Sequence, residues 1–442
     1  MESNLSSFAK NSVSVFGTRI LLILISIVSS IIVTRILGPA NRGVMEILVL
    51  VPYMLVNFGN LGVGNANLYF IGKKTHPIDK IVSNSLSLSL ILGAGLILIA
   101  YGSFNFYRES LFKGIPFYYT HLVFWIIPFL MFQKFIQYTL LGKEEIASRN
   151  IIVLLPAIIN FLITICIVVI IKLSLLGVLI ATFVSNLSAA LLCFYYISKK
   201  AEVKFGFDYK LFIRSVKFGM IPFLALLVIN LNFKADVILI KYYMNDTAVG
   251  LYTLAVTVVE KITLLPEAIG LVLFSKVSNI TEEEAGKITP LVCRFSVLSS
   301  LIIGVILFIS ADFLIPFVYG KDFQLSVRPL LILIPGIISL TLYLILHGDL
   351  TGRGKAKITL YVFAFALLLK IMLNLFLIPL YGINGAALAS TISYSLGALG
   401  LVGVFAKINS ISMLSLLFPT REDFVRYIIP FISIVKRRDT LL

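Results

Sequence analysis

The sequence predicts an all-α polytopic membrane protein with about twelve transmembrane helices, and three observations support this fold class. Hydrophobic residues make up 59% of the 442 residues and charged residues 13%, against roughly 45–50% and about 25% in soluble domains. Apolar runs such as Val13–Thr34 are as long as the ~20 residues that cross a bilayer as a helix. These runs do not alternate apolar and polar residues, as the strands of a membrane barrel do.

Breaks of turn-forming and charged residues divide the apolar runs into spans. The twelve predicted spans are 13–34, 44–70, 81–102, 119–141, 151–171, 175–197, 216–240, 248–274, 289–313, 327–347, 358–378 and 383–405. The first run is too long for the apolar part of a cleavable signal, so we expect it to remain as the first span.

The basic residues predict the orientation of these spans. If the N-terminus is cytoplasmic, the predicted cytoplasmic segments hold most of the Lys and Arg residues outside the spans. The positive-inside rule then places both termini in the cytoplasm. This distribution also accounts for most of the net charge of +16, so no nucleic-acid partner is needed to explain it.

The two halves of the chain carry matching landmarks at nearly one sequence offset, which predicts an internal repeat. The matched pairs are Gly17 with Gly219, Gly43 with Gly250, Gly142 with Gly352, and Leu175–Thr182 with Ile383–Ser390. Each half has an even number of spans, so an axis along the membrane normal would relate two six-helix lobes, as in transporters built from parallel repeats. The predicted organisation is an N-lobe of 1–197, a basic cytoplasmic linker of 198–215, a C-lobe of 216–405 and a cytoplasmic tail of 406–442.

The tail contains the amphipathic stretch "TREDFVRYIIPFISIVKRR", which has acidic residues at its start and basic residues at its end. Its apolar part is short and contains Pro430, so we expect an interfacial helix held by anionic headgroups. The three cysteines lie in apolar runs and the three histidines are scattered. We therefore predict no disulfide, metal site, cofactor or catalytic residue.

Several charged residues fall inside the predicted spans, where each costs roughly 2.5–3.5 kcal/mol on insertion scales and usually faces a cavity or a partner. The basic ones are Arg19, Lys134, Lys234, Lys261, Arg294 and Lys370, and the acidic ones are Asp236, Glu260 and Glu267. The excess of cations favours a chamber that accepts an anionic group. Alternatively, Lys134, Lys261 and Arg294 snorkel or pair with carboxylates.

Two polar features of the first two spans have both a structural and a functional interpretation. Asn57 and Asn60 lie among glycines, a pattern typical of close helix packing but also suited to ligand contact. In the corner "VTRILGPANRG", Gly38 and Pro39 end the first helix. Ending the helix at this point does not require Arg35 and Arg42. These arginines either anchor phospholipid headgroups or receive an anionic headgroup that leaves the chamber.

Five stretches, in order, carry a family resemblance: "TRILGPANRG", "KADVILIKYYMNDTAVGLYTLA", "VYGKDFQLSVRPLLILIPG", "LTGRGKAK" and "LYGINGAALASTISYSLGA". With them the chain resembles the polysaccharide-biosynthesis branch of the multidrug/oligosaccharidyl-lipid/polysaccharide (MOP) exporter superfamily, and in particular Wzx-type O-antigen and exopolysaccharide flippases. The resemblance extends from Phe8 to about Phe405.

The resemblance implies a V-shaped, MATE-like bundle with a cationic central cavity, alternating access, and an oligosaccharide on polyprenyl pyrophosphate as substrate. It also implies a location in the inner membrane and work beside a polysaccharide polymerase and a chain-length regulator. The residues expected to bind substrate are Arg19, Arg35, Arg42, Lys234, Lys370, Asn57 and Asn60. The residues that could couple transport to H⁺ or Na⁺ are Asp236, Glu260 and Glu267, and the membrane potential could also drive it.

Other functions fit the sequence less well. In a lipid II flippase we would expect further charges where Ile25 and Ile27 stand, and two extra C-terminal spans. A cation-coupled multidrug exporter needs a carboxylate in the first span, which has none. A membrane enzyme such as a polymerase or ligase needs a sizeable outer loop with catalytic groups, whereas the predicted outer loops are short. A non-transporting scaffold would not need embedded charges.

Overall fold

The computed structural model describes residues 2–418, with side chains described from Gly17 onward except at Leu271 and Ser275. The predicted interfacial helix of the tail lies outside the described residues. Within them the chain forms helices and no strand.

Thirteen α-helices are present in the described part of the chain. They are α1 (Glu2–Gly59), α2 (Val63–Gly72), α3 (Ile78–Phe106), α4 (Phe117–Phe124), α5 (Ile127–Gly142), α6 (Ile146–Thr164), α7 (Ser174–Ser198), α8 (Tyr209–Tyr243), α9 (Asp246–Val259), α10 (Leu264–Val277), α11 (Glu282–Tyr319), α12 (Val327–Gly352) and α13 (Ala356–Asn409). A π-helical segment follows α6 at Ile165–Ile170, and 3₁₀ turns occupy Glu260–Thr263, Lys321–Ser326 and Met413–Leu416.

Ten helical segments of the described residues are long and apolar enough to cross a membrane. Two of these segments each contain a non-helical glycine that joins two helices, Gly38 in α1 (φ 68°) and Gly382 in α13 (φ 59°). These kinks fall between the first and second and between the eleventh and twelfth predicted spans. The predicted fold class of about twelve membrane helices is therefore confirmed.

The second predicted span is wrong in its continuity. We expected one helix over 44–70, but α1 ends at Gly59 and α2 begins at Val63. The break places Leu61 (φ 47°) and Gly62 (φ 79°) in the left-handed region, which only glycine adopts without strain. The fourth span is likewise divided into α4 and α5, and a 3₁₀ turn interrupts the eighth.

Cα packing divides the chain into two compact units. Unit 1 contains residues up to Asn230 together with Ile240–Leu251 and Val318–Phe323. Unit 2 contains Leu231–Leu239, Tyr252–Phe317 and the chain from Gln324 onward. The predicted repeat-related lobes and the linker of 198–215 stay predictions.

Unit 1 contains two helix crossings at which backbones meet with no side chain between them. A Cβ built on Gly43 of α1 would lie 1.8 Å from the carbonyl oxygen of Asp246, and one on Gly250 of α9 would lie 1.9 Å from that of Pro39. A Cβ on Gly219 of α8 would lie 2.0 Å from the carbonyl oxygen of Gly62. Such close approach requires glycine, as in other membrane helix pairs.

A polar contact outside the spans ties the start of α6 to the end of α7 in unit 1. The ammonium of Lys200 lies 2.5 Å from Glu145 Oε1, and Ser148 donates to Glu145 Oε2 at 3.1 Å. The hydrogen bond from Lys200 holds the pKa of Glu145 below its usual value. Ionised Glu145 therefore stabilises the folded state above the usual carboxyl pKa of about 4.3, and this contribution is lost as the pH falls through the lowered pKa.

We expect Glu145→Gln to lower the melting temperature slightly at neutral pH, because the contact is partly exposed and screened by solvent. The difference from the wild type should disappear as the pH falls through the lowered pKa of Glu145. Melting curves in detergent across this range measure it. A difference that stays constant into acid would contradict an electrostatic origin.

Candidate functional site

A buried polar cluster in unit 2 centres on Lys370 of α13, whose side chain is fully buried. Its ammonium lies 3.0 Å from Asp236 Oδ2 and donates to the carbonyl oxygen of Asn232 at 2.5 Å. It also donates to the hydroxyl of Tyr394 at 3.2 Å. Three oxygens thus surround one cation away from solvent.

Asp236 has further partners in this cluster. Tyr252 and Ser390 both donate to Oδ2, Ser390 at 3.1 Å. Oδ1 has no hydrogen-bond partner among the described residues. The same holds for both amide atoms of Asn374, which is fully buried one helical turn after Lys370. The cluster therefore keeps unused hydrogen-bonding capacity around a compensated charge.

The sequence assigned Lys370 to the substrate and Asp236 to ion coupling as separate tasks. The structure instead joins them as one ion pair. Since their charges cancel and Lys370 is inaccessible, this pair fits an ion-coupling role better than contact with an anionic substrate in this conformation.

The other acidic candidates lie around the 3₁₀ turn of Glu260–Thr263. Glu260 is partly buried within electrostatic range of Lys234 and Lys261, while Lys234 itself is exposed. Glu267 Oε1 accepts a hydrogen bond from Thr263 at 2.8 Å. In a continuous α-helix, Glu260 and Glu267 would share one face because they lie seven residues apart, but the tighter 3₁₀ turn interrupts the helix between them.

The corner between the first two spans places its two arginines differently. Arg42 is 3% exposed, donates to Thr34 and lies 3.5 Å from Glu46. Arg35 is exposed. Arg35 is therefore accessible to an anionic headgroup, whereas Arg42 is held by neighbouring side chains of its own helix. Arg19 is partly buried in α1.

Asn57 and Asn60, the two asparagines of the second span that were expected to bind substrate, have different contacts. Asn60 is buried, and its Oδ1 accepts a hydrogen bond from the backbone of Gly64 at 3.3 Å, which holds the break between α1 and α2. Asn57 Oδ1 accepts from the ammonium of Lys134 on α5 at 2.5 Å. The sequence missed this pairing, because the two residues lie 77 positions apart.

Sequence reasoning also missed two ion pairs. In unit 2, Arg353 Nε lies 2.8 Å from Asp349 Oδ2, with both side chains buried. In unit 1, Lys241 lies 2.7 Å from Asp246. The first pair carried a signal, since residues four apart share a helix face.

Comparison with known proteins adds the family. The family described as "Polysaccharide biosynthesis protein" matches residues 8–275. A Shigella flexneri protein named "Putative O-antigen transporter" is 26% identical over 431 residues, covering 92% of this chain and 99% of the relative. The Haloferax volcanii protein named "Probable low-salt glycan biosynthesis flippase Agl15" is 24% identical over 166 residues, covering 36% of this chain and 35% of the relative.

Two solved structures show the same fold. The structure titled "Lipid II flippase MurJ, inward closed conformation" has a TM-score of 0.71 at 16% identity and covers 98% of this chain and 100% of its own. An inward-facing multidrug resistance MATE family transporter of the MOP superfamily has a TM-score of 0.68 at 16% identity, covering 89% and 95%. The resemblance derived from the sequence is thus confirmed: the chain belongs to the polysaccharide biosynthesis protein family and has the fold of MOP superfamily transporters.

Proposed function

We propose that the protein is a flippase that moves polyprenyl-pyrophosphate-linked oligosaccharides from the cytoplasmic to the outer leaflet by alternating access, for surface polysaccharide assembly. The observation that carries the proposal is the family match over residues 8–275. The nearly full-length similarity to the Shigella flexneri protein named "Putative O-antigen transporter" supports it. The bias of basic residues towards one side of the membrane supports an inner-membrane location with cytoplasmic termini.

The proposed substrate has a strongly anionic headgroup and a long apolar tail. The tail can stay in lipid while the pyrophosphate and sugars follow a polar path through the protein. Cations along this path would offset the lost hydration of the pyrophosphate. Among the sequence candidates, we assign this task to Arg19, Arg35 and Lys234, since Arg42 and Lys370 are buried beside carboxylates.

Transport also needs a driving force. An inside-negative membrane potential favours outward movement of an anion by roughly 2.3 kcal/mol per charge per 100 mV. Coupling to H⁺ or Na⁺ through Asp236, Glu260 or Glu267 would add to this bias. We place Asp236 first, because it lies in the buried cluster with Lys370. A polymerase and its chain-length regulator would act on the outward-facing product.

The proposal is tested by reconstituting the purified protein in liposomes with a fluorescent trisaccharide on undecaprenyl pyrophosphate. Under an inside-negative potential, we expect the wild type to move the sugar to the outer leaflet, where a membrane-impermeant glycosidase cleaves it. Protein-free liposomes and a preparation denatured before reconstitution are the controls. Equal protection with and without protein would overturn the proposal.

Native mass spectrometry in mild detergent separates the rival transporters. A co-purified polyprenyl-pyrophosphate oligosaccharide with a repeat-unit composition supports the proposed substrate. Bound lipid II would favour the lipid II flippase, and tight binding of a lipophilic cation without glycolipid would favour a multidrug exporter.

A further inference from the structure

The embedded cations of the structure differ in what compensates their charge. Lys370 lies beside Asp236, Lys241 beside Asp246 and Arg42 beside Glu46. Lys134 of α5 has no such partner: among the described residues, no carboxylate lies within salt-bridge distance of its ammonium, which donates to the neutral amide oxygen of Asn57. The charge of Lys134 is therefore not compensated by a carboxylate of the described residues.

Lys134 also remains accessible, unlike Lys370. Its side chain is only partly buried, whereas Lys370 is fully buried. An ammonium has three donors, and Asn57 uses one of them. Two donors of the ammonium are therefore left for a ligand.

Lys134 lies beside the break between α1 and α2. Asn57 lies in the last turn of α1, just before the non-helical residues that precede α2. One turn along α5, the ring of Tyr138 packs on α2, where a Cβ on Gly64 would lie 2.8 Å from it. Non-helical backbone at membrane depth is tolerated where protein buries it, and at this break Gly62 packs against the backbone of Gly219. Lys134 is a partly exposed cation beside this buried break.

We propose that Lys134, held in position by Asn57, is a subsite for an anionic phosphate oxygen. The inference rests on the proposed function and deepens it, because the pyrophosphate of the lipid-linked oligosaccharide supplies such oxygens. Asn57 orients the ammonium without neutralising it. A carboxylate in the same place would give a stronger pair and remove the charge that the ligand needs.

The most informative variant is Asn57→Asp, because it places a carboxylate at the existing contact with Lys134. A purely structural role for Lys134 predicts an unchanged or higher melting temperature and unchanged binding. The subsite predicts an unchanged or higher melting temperature together with a loss of binding. Lys134→Gln removes the charge directly, Lys134→Arg keeps it, and Lys73→Gln removes an exposed charge from the same unit as a matched control.

The probe is undecaprenyl pyrophosphate, titrated by microscale thermophoresis into the full-length protein in detergent. We expect Lys134→Gln and Asn57→Asp to weaken its binding by about ten- to hundredfold, the range for losing a hydrogen bond to a charged group. Lys134→Arg should keep most of the affinity, and Lys73→Gln should match the wild type. Wild-type affinity in both Lys134→Gln and Asn57→Asp would overturn the subsite.

Two further experiments complete the test. One distinguishes a phospholipid phosphate from the pyrophosphate, and the other distinguishes failure of the subsite from failure of the proposed function. If affinity for phosphatidylglycerol, rather than for the pyrophosphate, depends on Lys134, the site is a phospholipid contact and the inference fails. If the wild type moves the glycolipid in liposomes and both variants match it, the subsite fails while the proposed function stands. If the wild type binds the pyrophosphate through Lys134 but moves no glycolipid, the proposed function fails and the subsite stands.

Discussion

Replacing Lys370 by methionine is expected to destabilise the folded protein by about 3–5 kcal/mol, the usual cost of removing one partner from a buried ion pair. The substitution keeps a long flexible side chain but leaves the carboxylate of Asp236 buried without its cation. Tyr252 and Ser390 still donate to that carboxylate, yet they cannot cancel its charge. Denaturant unfolding in detergent measures the loss.

The double variant Lys370→Met with Asp236→Asn is the matched control. It removes both charges, so no buried ion remains unpaired, and replacing a whole pair is often nearly neutral. We expect it to recover most of the stability lost in the single variant. Equal stability of the single variant and the wild type would show that the ion pair does not hold this cluster together.

The same double variant tests ion coupling. If Asp236 carries the coupling ion, the folded double variant should translocate glycolipid at a rate that no longer responds to a pH or Na⁺ gradient. The response to membrane potential should remain, since it acts on the charge of the substrate. A gradient response equal to that of the wild type would move the coupling role to Glu260 or Glu267.

The difference between what the sequence predicts well and what it misses has a physical basis. Apolar runs and turn residues are local signals, so the membrane fold and the kink at Gly38 follow from the sequence. The break at Leu61 and Gly62 lies among the asparagines and glycines of the second span, a pattern that also suits a continuous, closely packed helix. Local hydropathy does not carry this information.

Charge compensation is also not local. Asn57 and Lys134 are 77 residues apart, and the contacts of Lys370 with α8 span a still longer stretch of chain. The sequence singled out the embedded cations, but it could not tell which of them has a carboxylate partner. Because Lys370 has a carboxylate partner and Lys134 contacts a neutral amide, Lys134 is the better candidate for binding an anion.

Adding a methyl group at Gly43 is expected to separate two helices of unit 1. A Cβ there would lie 1.8 Å from the backbone oxygen of Asp246, and backbone cannot move aside as a flexible side chain does. We expect Gly43→Ala to destabilise the protein by about 1–3 kcal/mol, as in other overpacked sites, and Gly43→Leu by more. Gly95→Ala is the control: a Cβ on Gly95 meets nothing within 4 Å, and alanine favours the helix.

Gly43 and Gly250 are equivalent landmarks of the predicted repeat, and they meet at this crossing, which makes their coupling testable. A Cβ on either residue lies 3.0 Å from the backbone nitrogen of the other. Once Gly43→Ala has moved the helices apart, Gly250→Ala meets less resistance. The destabilisation of the double variant should therefore be smaller than the sum of the two single effects. This coupling is measured by unfolding the wild type, the two single variants and the double variant in detergent. Strictly additive losses of stability would mean that the two glycines do not share one contact.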